Sequence, residues 1–131
     1  MISDNNKCFV CGRDNPEGLQ LEFNYSADGK KARTTFAPPQ KFQGWQDVVH
    51  GGIIVTLLDE VMAKVAAKSA GRILTGEIAT KFKNPARIKE PLTFEGEIES
   101  VTRRVIYTRG SAAKQDGTVI AQATAKFFIA A

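Results

Sequence analysis

From residue 19 to residue 36 apolar and polar positions alternate. Leu19, Leu21, Phe23 and Tyr25 interleave with Gln20, Glu22, Asn24 and Ser26, a period of two that predicts a half-buried strand. Asp28-Gly29 follows, a dipeptide favoured in a two-residue type I′ turn, where both central residues need positive φ. Ala32, Thr34 and Phe36 resume the alternation, so a hairpin is expected, ended by Pro38 and Pro39. From His50 to Ser69 the period changes. Ile54, Leu57, Leu58, Val61, Met62 and Val65 recur at helical spacing, and Gly71 supplies a stop. The other side of this helix carries Thr56, Asp59, Ala63 and Ala67, with so little charge that packing on several sides is expected.

Strands resume past Gly71. Ile78, Thr80 and Phe82 alternate with Ala79, Lys81 and Lys83, and "NPARIKEP" breaks the run. Leu92, Phe94, Gly96 and Ile98 form the next alternation, residues 103–113 another, and Asp116-Gly117 marks a second hairpin turn before Val119, Ala121, Ala123, Ala125 and Phe127. Two strands, one long helix and about four strands joined by short turns predict an antiparallel sheet across one helix, an α+β architecture. With 131 residues and no repeat or linker, one domain over 1–131 is expected, residues 1–18 being a turn-rich N-terminal segment.

Composition narrows the class. With 43% apolar and 24% charged residues the chain reads as globular, and no apolar run is long enough to span a bilayer. The opening "MISDNNK" lacks a basic n-region and an apolar h-region, so no secretory leader and a cytoplasmic location are expected, with no membrane partner. Net charge is +4, densest in "DGKKAR" and "VTRRVIYTR". These read as solvated surface, or as a rim that attracts an anionic ligand. Nucleic acid is not expected as a partner, because aromatics do not interleave with the basic residues. "CFVCG" places Cys8 and Cys11 at C-x-x-C spacing. A structural zinc takes four ligands, and two cysteines with one histidine fall short. A redox pair would follow a strand and open a helix, whereas this motif runs into a turn-rich segment, so a structural or incidental role and no metal are expected.

The stretch that carries candidate chemistry is "DVVHGGIIVTLLDE", residues 47–60. His50-Gly51-Gly52 lies where the helix begins, and the first helical N–H groups have no partner inside the helix. Glycine lets foreign atoms approach that backbone, so the end can act as a turn, or as a donor to an oxygen that gains negative charge. Asp59 returns to the same face as Gly52 two turns on, in an apolar setting where a carboxylate needs a partner; Glu60 is the neighbouring candidate, rotated by about 100°. Seven residues rise about 10.5 Å, too far for one helix to offer both donor and carboxylate to one carbonyl. Two helices about a two-fold axis could do so, which predicts a dimer with composite sites.

With "CFVCGRDNPEGLQL", "GWQDVVHGGIIVTLLDE" and "TGEIATKFKNPAR", the chain resembles the hotdog-fold acyl-CoA thioesterases, in the branch of the phenylacetic-acid-degradation (PaaI-like) thioesterase. Its most specific part is H-G-G with an aspartate nine residues after the histidine. The resemblance implies a hotdog fold, a single antiparallel sheet of five to six strands curled around one long central helix. It implies a homodimer or a dimer of dimers (a homotetramer) with sites at the subunit interface, and hydrolysis of an acyl-CoA with no cofactor, coenzyme A being part of the substrate. Position by position, Asp59 matches the carboxylate that attacks or activates water, and Gly51 or Gly52 the amide that polarises the thioester carbonyl. His50 matches the histidine that holds the loop or the thioester end, and Thr75 a hydroxyl that helps place the water. Some relatives carry an Asn or Gln several residues before the histidine; this chain departs from that pattern, with Gly44 six before it and Gln43 and Gln46 nearby. Glu60 is the reserve catalytic acid.

Phe42, Trp45, Leu58, Met62 and Phe82 are expected to line the acyl pocket, and Lys81, Lys83, Arg87, Arg103 or Arg104 to meet the coenzyme A phosphates. The alternative is a non-catalytic hotdog module that binds acyl-CoA as a sensor or scaffold; it would keep the glycines and the basic rim without needing Asp59.

Overall fold

The computed structural model describes residues 2–130. Its elements run β1 (Asn24–Tyr25), β2 (Lys31–Phe36), α1 (Gly51–Ala70), β3 (Ile73–Phe82), β4 (Leu92–Val101), β5 (Val105–Lys114) and β6 (Val119–Ile129), with a 3-10 turn at Gln40–Phe42 before the helix. The six strands form one antiparallel sheet in the order β1-β2-β4-β5-β6-β3. The helix packs against β2, β3, β4, β5 and β6, so the sheet wraps it as the alternating pattern predicts.

Burial explains the wrapping. Ile54, Leu57, Leu58, Val61, Met62, Val65 and Ala66 of α1 are buried against Leu92 and Phe94 of β4, Ile106 of β5 and Phe127 of β6. Sheet and helix come close at Gly96, where a Cβ would stand 2.9 Å from the Val61 carbonyl oxygen. Outward-facing positions are polar and paired across strands: Arg33 with Glu95, Lys31 and Arg109 with Glu97, Lys126 with Glu77. The "DGKKAR" charges thus belong largely to this exposed ladder, where such pairs contribute little stability each.

Two expectations need correction. The strand expected from Leu19 shrinks to Asn24–Tyr25. Leu19 and Leu21 keep their half-buried alternation, but their N–H groups donate to the Phe9 and Val10 carbonyls, at 2.8 and 2.9 Å. The N-terminal segment thereby occupies bonds a longer β1 would have given to β2. Neither Asp-Gly pair forms a type I′ turn, because only Gly29 (φ +71°) and Gly117 (φ +92°) adopt positive φ. Each aspartate instead accepts a backbone N–H two residues on, from Lys30 and Thr118, at 2.9 Å in both cases, which fits longer hairpin loops.

Strand β3 has two features that bear on function. It is a terminal strand, so its outer edge has no strand partner among the described residues, and Leu74, Phe82 and neighbouring Phe128 are half exposed. It also carries a bulge. Thr75 pairs with Phe127 and Ile78 with Ala125, so three steps on β3 match two on β6, with Gly76 as the extra residue.

Candidate active site

His50 forms the entry to α1. Its N–H donates to the Phe42 carbonyl at 2.9 Å, its carbonyl accepts from Ile53, and its Nδ1 accepts the Gly52 N–H at 2.9 Å. A histidine thus serves as N-cap in place of the usual Ser, Thr, Asp or Asn. Gly52 permits this, since a Cβ there would sit 3.1 Å from His50 Nδ1. The Gly51 N–H, in contrast, has no acceptor among the described residues. The two glycines that sequence could not separate therefore differ: one amide closes the cap, the other is available to a ligand.

Asp59 lies two turns along and is half buried. Thr75 Oγ1 of β3 donates to Asp59 Oδ1 at 2.9 Å, which leaves Oδ2 with no hydrogen-bond donor among the described residues. The bulge at Gly76 sets the phase that turns Thr75 toward the helix. Along α1, Gly51 and Asp59 are about 12 Å apart by helical rise, too far for both to reach one carbonyl within one chain.

The remaining predicted residues divide by location. Phe82 lies against Gly51, its ring 3.4 Å from where a Gly51 Cβ would be, and Arg87 bridges to Val48. Gly44, Trp45, Val48, Val49, His50 and Gly51 line an open cleft of about 400 Å³, and Trp45 is 86% exposed. Phe42 is half buried against Phe36, and Lys83 and Arg87 are exposed. Gln43 ties the loop together, accepting from the Asp47 N–H and the Gln40 amide, while Gln46 is exposed.

Other positions depart from expectation. Leu58 and Met62 are fully buried in the core, so in this chain they have no surface to offer an acyl group. Lys81 alternates with Phe82 and lines a depression on the outer sheet face beside Gln122 and Thr124. Arg103 and Arg104 sit in the β4–β5 turn, where the Arg104 carbonyl accepts from the Ile129 N–H, at the sheet end paired with the start of β3 and away from Phe82.

Glu60 is not beside Asp59's partner. Its carboxylate meets the Cys8 thiol at 3.7 Å and the Cys11 thiol at 3.5 Å, on the side of the helix that faces the N-terminal segment. Sequence reasoning did not join Glu60 to the cysteines, for 49 and 52 residues separate them. Burial, opposed in part by the adjacent Lys64 ammonium and reinforced by the Glu60 charge, pushes the Cys11 thiol up to about 11.

Against known proteins, residues 46–121 match the family model described as "Thioesterase superfamily", which covers more than half of the chain. The chain belongs to the thioesterase superfamily. Among curated proteins it is 23% identical over 111 residues to acyl-coenzyme A thioesterase THEM4 of Xenopus laevis, covering 84% of this chain and 50% of that protein. The chain thus spans about half the length of the curated relatives it matches.

Solved structures place the fold. The thioesterase superfamily protein RHA08564 superposes with a TM-score of 0.85 at 30% identity, over 93% of this chain and 63% of that one. A hypothetical thioesterase from Streptococcus pneumoniae TIGR4, solved with coenzyme A, matches with a TM-score of 0.78 at 19% identity, over 84% and 85%. A mutant form of the phenylacetic acid degradation protein PaaI from Thermus thermophilus matches with a TM-score of 0.76 at 17% identity, over 84% and 93%. The α+β hotdog fold expected from the resemblance is the fold of this chain.

Proposed function

We propose that the chain hydrolyses acyl-CoA thioesters as a homodimer whose sites combine the helix entry of one copy with Asp59 of the other. The observation that carries this reading is the Asp59 carboxylate, held at one oxygen by Thr75 and left unbonded at the other within the chain. The Gly51 N–H donates to the thioester oxygen, where negative charge grows as the carbonyl is attacked. Asp59 Oδ2 takes a proton from the attacking water, the hydroxyl joins the acyl carbon, and the C–S bond breaks. The thiolate of coenzyme A leaves and takes up a proton, and the free acid departs. His50 holds the donor end in shape by capping it, a positioning role. The free edge of β3 and the exposed Leu74 and Phe82 support the apposition of two copies, since such an edge and apolar flank favour a partner. Phe82, Trp45 and Arg87, around the cleft at Gly51, are the side chains proposed to meet acyl-CoA.

The test is a thiol-release assay over short, medium, long and aromatic acyl-CoAs, with Asp59→Asn and Asp59→Ala alongside the native chain. Turnover of at least one acyl class, reduced by about 100-fold or more in both variants, is expected for loss of a general base. Binding of acyl-CoA without turnover in the native chain would replace the enzyme with a sensor. Full turnover in both variants would remove Asp59 from the mechanism.

A further inference from the structure

We propose that Cys8, Cys11 and Glu60 form a zinc site that fastens the N-terminal segment to the middle of the core helix. The three donors lie within 4.8 Å of one another and are half buried. Tetrahedral zinc with Zn–S near 2.3 Å and Zn–O near 2.1 Å has S···O edges of about 3.6 Å. Glu60 Oε1 stands 3.7 Å from Cys8 Sγ and 3.5 Å from Cys11 Sγ, so two edges of that tetrahedron are already present.

The loop is built to hold the sulfurs there. The Val10 N–H donates to Cys8 Sγ at 3.4 Å, a bond that favours the thiolate a metal requires. The Gly12 N–H closes the turn on the Cys8 carbonyl at 2.8 Å, and a Cβ at Gly12 would stand 2.5 Å from the Cys8 nitrogen. Charge also balances. Binding releases both thiol protons to solvent, and two thiolates with one carboxylate on Zn²⁺ leave one net negative charge. The Lys64 ammonium, one turn beyond Glu60 and adjacent to Cys11, offsets it. Water completes the fourth position, so the site is of the open three-ligand kind and not the closed four-ligand kind that the sequence falls short of.

This site is separate from the proposed chemistry, and its test reads metal rather than turnover. Reduced, chelator-treated protein is titrated with ZnCl₂ against a chromophoric chelator, and with CoCl₂ under visible and near-ultraviolet absorption. One Zn²⁺ per chain is expected, and the cobalt form should show thiolate-to-cobalt charge transfer with the intense visible bands of a tetrahedral centre. Cys8→Ser, Cys11→Ser and Glu60→Gln should each weaken zinc binding by at least about 10- to 100-fold, the loss that disturbing even an outer-shell partner causes. Substoichiometric zinc, or cobalt bound without a thiolate band, would overturn the site. So would affinity unchanged in Cys11→Ser or Glu60→Gln. The native-chain cobalt spectrum decides the matter even where a variant fails to fold.

Discussion

Thr75 Oγ1 donates a 2.9 Å hydrogen bond to Asp59 Oδ1, across the boundary between the edge strand and the core helix. In the proposed reaction, the bond determines that Oδ2 is the oxygen that acts as base. Thr75→Val should lower kcat by about 10-fold with KM nearly unchanged, since the group orients a base rather than binding substrate. Thr75→Ser should restore most of the rate. Steady-state kinetics on all three proteins checks this; a Ser variant as slow as Val would show that the hydroxyl is not what matters.

Gly51 is the first residue of the helix, a position where proline is well tolerated. Gly51→Pro therefore removes one N–H with little cost to the helix, and it should reduce kcat by about 100-fold, as loss of an oxyanion donor does. Circular dichroism with kinetics separates this from unfolding.

If each site draws on two copies, Gly51→Pro and Asp59→Asn repair one another. Mixed dimers would carry one doubly damaged site and one intact site, so remixing equal amounts after partial denaturation should recover about a quarter of native activity. Activity that stays at the level of the separate variants would mean that each chain supplies its own complete site.

The His50 cap is measurable as stability. His50→Ala should cost about 1 kcal/mol in urea unfolding, the usual loss for an N-cap, and His50→Asn should recover most of it. Gly96→Ala should cost more, about 1–3 kcal/mol, because the added methyl meets helix backbone at Val61.

In metal-free protein Cys11 gives stability a pH dependence. Its folded thiol is pushed from 9.0 to about 11, chiefly by burial, so the folded state holds a proton that the unfolded chain releases. This group leaves stability unaffected below pH 9 and lowers it as pH rises from 9 toward 11. Urea midpoints across that range should decline more steeply for the native chain than for Cys11→Ser.

The helix and four later strands were legible because burial imposes their periods: Leu57, Val61 and Val65 share one stripe, and Phe94 and Gly96 one sheet face. The short β1 was not legible, for alternation at Leu19 to Phe23 records which side chains are covered and not where the backbone N–H groups go. Asp59 stood out by its spacing from Gly52, whereas Thr75 came from the family resemblance alone, and no local pattern joins two residues 16 apart. Leu58 and Met62 misled as pocket residues because an apolar position in a core and one lining a cavity look alike in sequence. The Cys8–Cys11–Glu60 cluster was missed because its third member lies on the helix, where a lone glutamate carries no spacing signal.

The unmatched glycine in β3 acts as a parity counter. In a strand paired step for step, Thr75 stands three positions before Ile78 and would look out from the opposite side of the sheet; absorbing one step returns both to the same side. Losing Gly76 leaves two steps, so the hydroxyl keeps its heading toward Asp59. Gaining one residue beside it, with no second irregularity to absorb the excess, would reverse that heading while touching neither acid nor hydroxyl. The heading of Thr75 in this short stretch is thus kept when one residue is lost and reversed when one is gained.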